Sequence, residues 1–135
     1  MPTKSSNRLG VVHGYRSGLE VQVANQLAAA GIDVAYEEEK IEYHKPARVS
    51  KYTPDFVLPN GIVIETKGRF LTDDRQKHIL VKAQHPQRDI RFVFSSSKAK
   101  ISKASKTTYA MWCEKNGFRF ADKLIPASWL TETST

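Results

Sequence analysis

The sequence contains one cysteine, Cys113, in 135 residues, so no disulfide can close within the chain and no second thiol exists for a cysteine-built metal site. That usage suits a reducing compartment. No stretch approaches the roughly 20 consecutive apolar residues that span a bilayer, and the opening MPTKSSNRLG lacks the apolar centre of a secretion signal. A cytoplasmic protein without a membrane partner is expected. There is no glycine-rich phosphate loop, no internal repeat and no low-complexity tract beyond the Ser/Thr-rich ends. Acids are also scarce, 14 against 21 Lys and Arg, which leaves a formal charge of +7. Such a surplus favours a polyanion, nucleic acid first, because each neutralised phosphate releases condensed counterions. A solvated lysine face is the plainer explanation, so placement says more than amount. Residues 98 to 106, KAKISKASK, hold four lysines and no acid, whereas 33 to 42 hold five acids against Lys40 alone. Two faces of opposite sign follow.

An apolar fraction of 40% at this length supports one hydrophobic core and one domain. Residues 1 to 16 read as a flexible N-terminal arm, and 17 to 135 as a single domain. Leu19, Val23, Leu27 and Ala30 recur at helical spacing, which predicts a helix over 17 to 30 ended by Gly31. Residues 33 to 43 look extended, with a slip in apolar parity that suggests a bulge or an edge strand. His44 to Ser50, with Pro46, lacks periodicity and reads as a connection. Residues 52 to 58 and 62 to 67 are β-rich runs separated by Pro59, Asn60 and Gly61, which predicts a hairpin. Thr72 offers an N-cap, Asp73 and Asp74 suit the first turn, and Pro86 stops that helix near His85; Ile79, Leu80 and Ala83 supply its inner face. IRFVFS at 90 to 95 predicts a strand covered on both sides. A last helix over about 107 to 116 ends at Gly117, before a tail with Phe118, Phe120 and Trp129. The predicted class is an α/β sandwich: helix, three strands, helix, strand, then a helical and partly extended tail.

Glu65 and Lys67, two apart on a strand, share a face, while Ile62, Ile64 and Thr66 point the other way. The turn decides where Asp55 goes. A three-residue loop pairs Leu58 with Ile62 and sets Asp55 opposite Glu65; a two-residue Asn60-Gly61 loop pairs Asp55 with Thr66 and separates the carboxylates. Pro59 favours the longer loop. Opposed Cβ atoms lie roughly 4.5 to 5.5 Å apart, close enough for both carboxylates to share a divalent ion. Oxygen ligands beside a phosphate favour Mg²⁺ or Mn²⁺ over zinc. Lys67 is placed to orient water or stabilise developing charge. An acid-x-Lys pair is often only a weak surface ion pair, but charged residues on otherwise apolar strands need a reason.

TPDFVLPNG followed by IVIETKG resembles the PD-(D/E)xK nuclease superfamily, whose restriction-endonuclease-like core has the predicted element order. RSGLE at 16 to 20, YTPDFVLPNG at 52 to 61, ETKG at 65 to 68, DDRQKH at 73 to 78 and FADKLIPASW at 120 to 129 narrow the resemblance to the phage endonuclease I family, over about residues 12 to 130. That resemblance implies a DNA endonuclease that resolves Holliday junctions by paired nicks. It implies Asp55, Glu65 and the Thr66 main-chain oxygen as metal ligands, Lys67 as catalytic, and Glu20 as a ligand of a second ion. Two Mg²⁺ ions, with Mn²⁺ as substitute, would support in-line attack by water. Ser17-Gly18-Leu19-Glu20 also fits a capping box, in which Glu20 closes its helix. Both roles stay open. The resemblance further implies a homodimer with exchanged N-terminal segments, 44 to 50 crossing between subunits, acting on branched DNA in the bacterial cytoplasm.

Arg16, Arg69, Arg75, Lys77, Lys98, Lys100, Lys103 and Lys106 form a group of candidate phosphate contacts. His13, His44, His78 and His85 lack ligand spacing, so surface roles are expected, with His78 the exception if any. Trp112, Trp129, Tyr109 and Phe118 fit tail packing better than base stacking. A duplex or single-strand nuclease of the same superfamily, and a silent junction-binding protein, are the competing readings. An RNA-binding module ranks below them because no exposed aromatic signature is present.

Overall fold

A computed structural model of the chain describes residues 18 to 45 and 48 to 133. Residues 1 to 17, including the predicted arm with His13 and Arg16, and Pro46 and Ala47 lie outside the described residues. So does the Ser17 half of the capping box.

Helix α1 (Gly18–Ala29) buries Leu19, Val23, Ala24 and Leu27 along one stripe. It ends where Gly31 takes φ +71 and Ile32 donates back to the Leu27 carbonyl at 3.0 Å. The stretch predicted as one irregular strand is two strands in different sheets: β1 (Ala35–Tyr36) and β2 (Ile41–Lys45). Glu37 between them, at φ 50, redirects the chain, which accounts for the parity slip. The segment read as a connection is corrected: His44 and Lys45 close β2, and β3 (Arg48–Tyr52) pairs with it antiparallel, Lys45 opposite Arg48. β3 carries no buried residue before Tyr52, so it has no apolar alternation to mark it.

β4 is only Phe56–Val57, since Pro54 lacks the N–H a longer ladder needs. Tyr52 belongs to β3. β5 (Val63–Lys67), β6 (Ile90–Phe94) and β7 (Arg119–Asp122) complete a five-stranded sheet of order β1-β4-β5-β6-β7. The pairs β5 with β6 and β6 with β7 are parallel, and the others antiparallel. The core therefore holds more strands than the three-plus-one count. Helix α2 (Thr72–Gln84) makes the crossover between β5 and β6; α3 (Tyr109–Asn116) and the short α4 (Ala127–Thr131) follow.

Each sheet face has its own apolar cluster. Val63, Phe92 and Phe94 pack with Phe70, Val81, Trp112 and Phe118 on the side of α2 and α3. Ile64 and Val93 pack with α1, Phe56 and Trp129 on the other. The sandwich class holds, and Trp112, Trp129, Tyr109 and Phe118 are packing residues. Arg91 is a cation buried within β6; Asp89 and Glu132 satisfy its guanidinium over the Trp129 ring.

Two details of α2 differ from expectation. Leu71, not Thr72, holds the N-cap position, with its N–H donating to Asp74 at 3.2 Å. The buried stripe is Arg75, His78 and Val81, leaving Ile79 and Ala83 exposed. Polar residues sit on the inner face here, so the apolar pattern pointed the wrong way. No helix among the described residues is long and apolar enough to cross a membrane.

Candidate active site

The turn after β4 sets the register. Gly61, at φ +93, donates to the Leu58 carbonyl at 2.9 Å, and the Leu58 N–H donates to Ile62 at 2.9 Å. The three-residue loop is thus the one formed. Asn60 locks it, bonding the Ile62 N–H at 3.1 Å and donating to the Trp129 carbonyl at 2.9 Å. The ladder continues with Val57 opposite Val63 and Phe56 opposite Ile64; Asp55 follows just beyond its last pair and acts electrostatically on Glu65. Asp55 is 2% exposed, and its Oδ2 accepts from the Thr66 N–H at 2.9 Å and the Thr66 hydroxyl at 2.8 Å.

Glu65 and Lys67 lie on the α2 side of β5, with Lys67 Nζ 3.5 Å from Glu65 Oε2 and 3.2 Å from Asp74 Oδ1. Burial pushes the Glu65 carboxyl up to about 8, and Asp55 adds to that, against the pull of Lys67 and of the Tyr52 hydroxyl. Burial opposes the charge on Lys67, yet Glu65 and Asp74 outweigh it and hold the ammonium above its ordinary range.

Glu20 reaches the same place from α1, 3% exposed, accepting a hydrogen bond from the Tyr36 hydroxyl. Its carboxylate points inward, and within one chain it meets Asp55. Glu20, Glu37 and Asp55 offer oxygens within 4.8 Å of one another. Glu65 is not part of that tight group; it couples to it through Asp55. Glu37 was missed in the sequence because it hides in the run Glu37 to Glu39, and only the parity slip marks it as a left-handed residue. The donor set is all oxygen, and closely packed buried carboxylates repel unless protonated or joined by a cation. These residues fit a hard divalent ion.

The other candidates scatter. His78 is fully buried, edge-on to Tyr52 and Phe92, with both ring nitrogens unpartnered. Burial drives its pKa well below the ordinary value, so it is a neutral core residue and not a surface one. His44 pairs its main chain with Gln84, and His85 lies against the Glu42 carbonyl. Arg75 is 9% exposed, with its guanidinium engaged by the Phe70 carbonyl at 2.5 Å and the Thr72 hydroxyl at 3.0 Å. Lys77 lies over the Tyr52 ring at 5.4 Å. Arg69, Lys100 and Lys103 line one groove beside Leu71, past the end of β5. Lys98 and Lys106 are exposed.

Buried carboxylates converging on a lysine at the end of a central strand define a candidate cation-assisted hydrolytic site on a mixed α/β frame. A family model described as Phage endonuclease I matches residues 1 to 135. Endonuclease I of Escherichia phage T7 is 56% identical over 121 residues, covering 90% of this chain and 81% of that protein. Endodeoxyribonuclease 1 of Enterobacteria phage T3 is 55% identical over 118 residues, covering 87% and 78%. The chain belongs to the phage endonuclease I family and is a nuclease.

Proposed function

We propose that this chain is a Mg²⁺-dependent endodeoxyribonuclease that resolves four-way DNA junctions by paired nicks, on a restriction-endonuclease-like core. The observation that carries this reading is the β4–β5 register, which brings buried Asp55 close enough to act on buried Glu65, with Lys67 Nζ 3.5 Å from Glu65 Oε2. Asp55, Glu65, Glu20 and the Thr66 main-chain oxygen would hold one or two ions, with Glu37 close enough to share. A bound divalent ion would lower the pKa of water and polarise a phosphoryl oxygen. Lys67, kept cationic by its two acids, places positive charge where the pentavalent phosphate gathers negative charge. Asp74 fixes that ammonium from α2.

The functional unit in this reading is a homodimer in the host cytoplasm. An opening between Lys45 and Arg48 would pass α1, β1 and β2 to a partner: Glu20 would keep Tyr36 of its own chain and meet Asp55 across the subunits. β1 pairs with β4 in the main sheet and β2 with β3 in the second, so both ladders would re-form between subunits. Two linked sites suit paired nicks in opposing strands.

Cleavage of a four-way junction should require Mg²⁺ or Mn²⁺ and should outcompete linear duplex of equal length. Equal cleavage of both would favour a general duplex nuclease, and tight binding without cleavage in either metal would favour a silent junction protein. Among the candidate phosphate contacts, the groove trio Arg69, Lys100 and Lys103 is the set the fold gathers. Replacing all three with glutamine should weaken junction binding and reduce the slope of log K against log salt by about 0.9 for each phosphate that is no longer neutralised. Fluorescence anisotropy across a salt series reads this directly, and an unchanged slope would remove the groove from the DNA path.

A further inference from the structure

Three inward carboxylates at the site each receive a hydroxyl from a neighbouring residue: Tyr36 donates to Glu20, Thr66 to Asp55 and Tyr52 to Glu65. The third pair divides its acceptor. Tyr52 Oη donates to Glu65 Oε1 at 2.7 Å, whereas Oε2 is the oxygen 3.5 Å from Lys67 Nζ. We propose that Tyr52 is a positioning residue of the active site, fixing the Glu65 carboxylate so that Oε1 is spent on the phenol and Oε2 faces Lys67 and the cation. The inference rests on the cation site proposed above.

The phenol is itself held. Tyr52 is 2% exposed, the His78 ring meets it edge-on at 4.9 Å and Lys77 lies over its face at 5.4 Å. A carboxylate on a strand has a broad terminal torsion and would otherwise swing between orientations. One fixed donor removes that freedom, as partners of metal-binding carboxylates commonly do. Tyr52 sits at the end of β3, outside the main sheet, so its hydroxyl also ties the hairpin's seating to Glu65 geometry.

Tyr52→Phe keeps the ring, its core packing and the Lys77 stacking, and removes only the donor. Mn²⁺ binding to the full-length chain, followed by electron paramagnetic resonance, should be about 10-fold weaker or more in Y52F than in the parent. Cleavage should fall most at limiting Mn²⁺ and recover in part at saturation, while the melting temperature without metal changes little. A structural role alone would lower that temperature and leave the Mn²⁺ titration midpoint where it was. On the unsubstituted protein carrying ¹³C at the tyrosine Cζ positions, Mg²⁺ should shift the Tyr52 signal in step with binding. Parent binding with an unmoved Y52F midpoint, or a Tyr52 signal that ignores Mg²⁺, overturns the positioning role and leaves the cation site standing. A parent that binds no Mn²⁺ overturns both.

Discussion

Asp55→Asn should reduce DNA cleavage at saturating Mg²⁺ by about 10³-fold or more, the scale of removing a metal site's charge stabilisation from a phosphoryl transition state, without unfolding the protein. Asparagine is nearly isosteric, and its carbonyl can still accept from the Thr66 N–H and hydroxyl that now hold Asp55 Oδ2. What disappears is one negative charge between Glu20 and Glu37 on one side and Glu65 on the other. Without a cation that charge is a burden, so D55N should be as stable as the parent, or more so, when metal is removed. The two readouts move in opposite directions: activity collapses while metal-free stability holds or rises. Cleavage kinetics beside thermal melting in a chelator would measure both. D55N that cleaves within 10-fold of the parent would remove Asp55 from the metal site.

The register that brings Asp55 near Glu65 was legible in the sequence because a turn has few solutions. Pro59 and Gly61 admit a three-residue loop, and a period of two then fixes every pairing that follows. Asn60 adds a lock from the C-terminal helix that no local pattern could announce. The approximate extents of the three longer helices were legible, though not the N-cap or buried face of α2, and the buried β6 was legible from its unbroken apolar run. Of the second hairpin only the start of β2 was legible, within the extended stretch 33 to 43; β3 was not, because no residue from Arg48 to Lys51 is buried and no apolar alternation marks them. His78 and Arg75 were hidden for a related reason. Their burial comes from what packs against α2, namely Tyr52, Phe92 and the Phe70 loop, and such long-range partners leave no periodic trace. Glu20 was ambiguous between cap and ligand; burial and the Tyr36 hydroxyl turn its carboxylate into the site.

Metal-free protein should lose thermal stability as pH rises from 7 to 8, and Glu65→Gln should flatten that fall. An ordinary glutamate titrates near 4.3, whereas folded Glu65 titrates at about 8 because it is buried beside Asp55. Between those values the folded chain carries a proton that the unfolded chain has already released. Raising pH therefore favours unfolding, and the loss is complete only above the folded value; one proton sets a ceiling of about 1.4 kcal/mol per pH unit. His78 works in the other direction. Its folded pKa lies well below its ordinary value through burial, so unfolding takes up a proton there at low pH, and stability rises with pH until the unfolded imidazole, half protonated near 6.5, is neutral about one unit higher. The two slopes oppose each other at lower pH, which leaves pH 7 to 8 as the window where the Glu65 slope dominates, with buried Cys113, held up at about 12, adding a smaller slope of the same sign toward pH 8. Mg²⁺ needs the ionised carboxylate, so its binding near pH 7 should release a proton and restore the stability lost at pH 8. Melting curves across pH, with and without Mg²⁺, would show the parent falling, E65Q level and the Mg²⁺ series recovered. A parent curve as level as that of E65Q would mean that Glu65 is already ionised in the resting protein, and Lys67 would then be neutralising it without help from a metal.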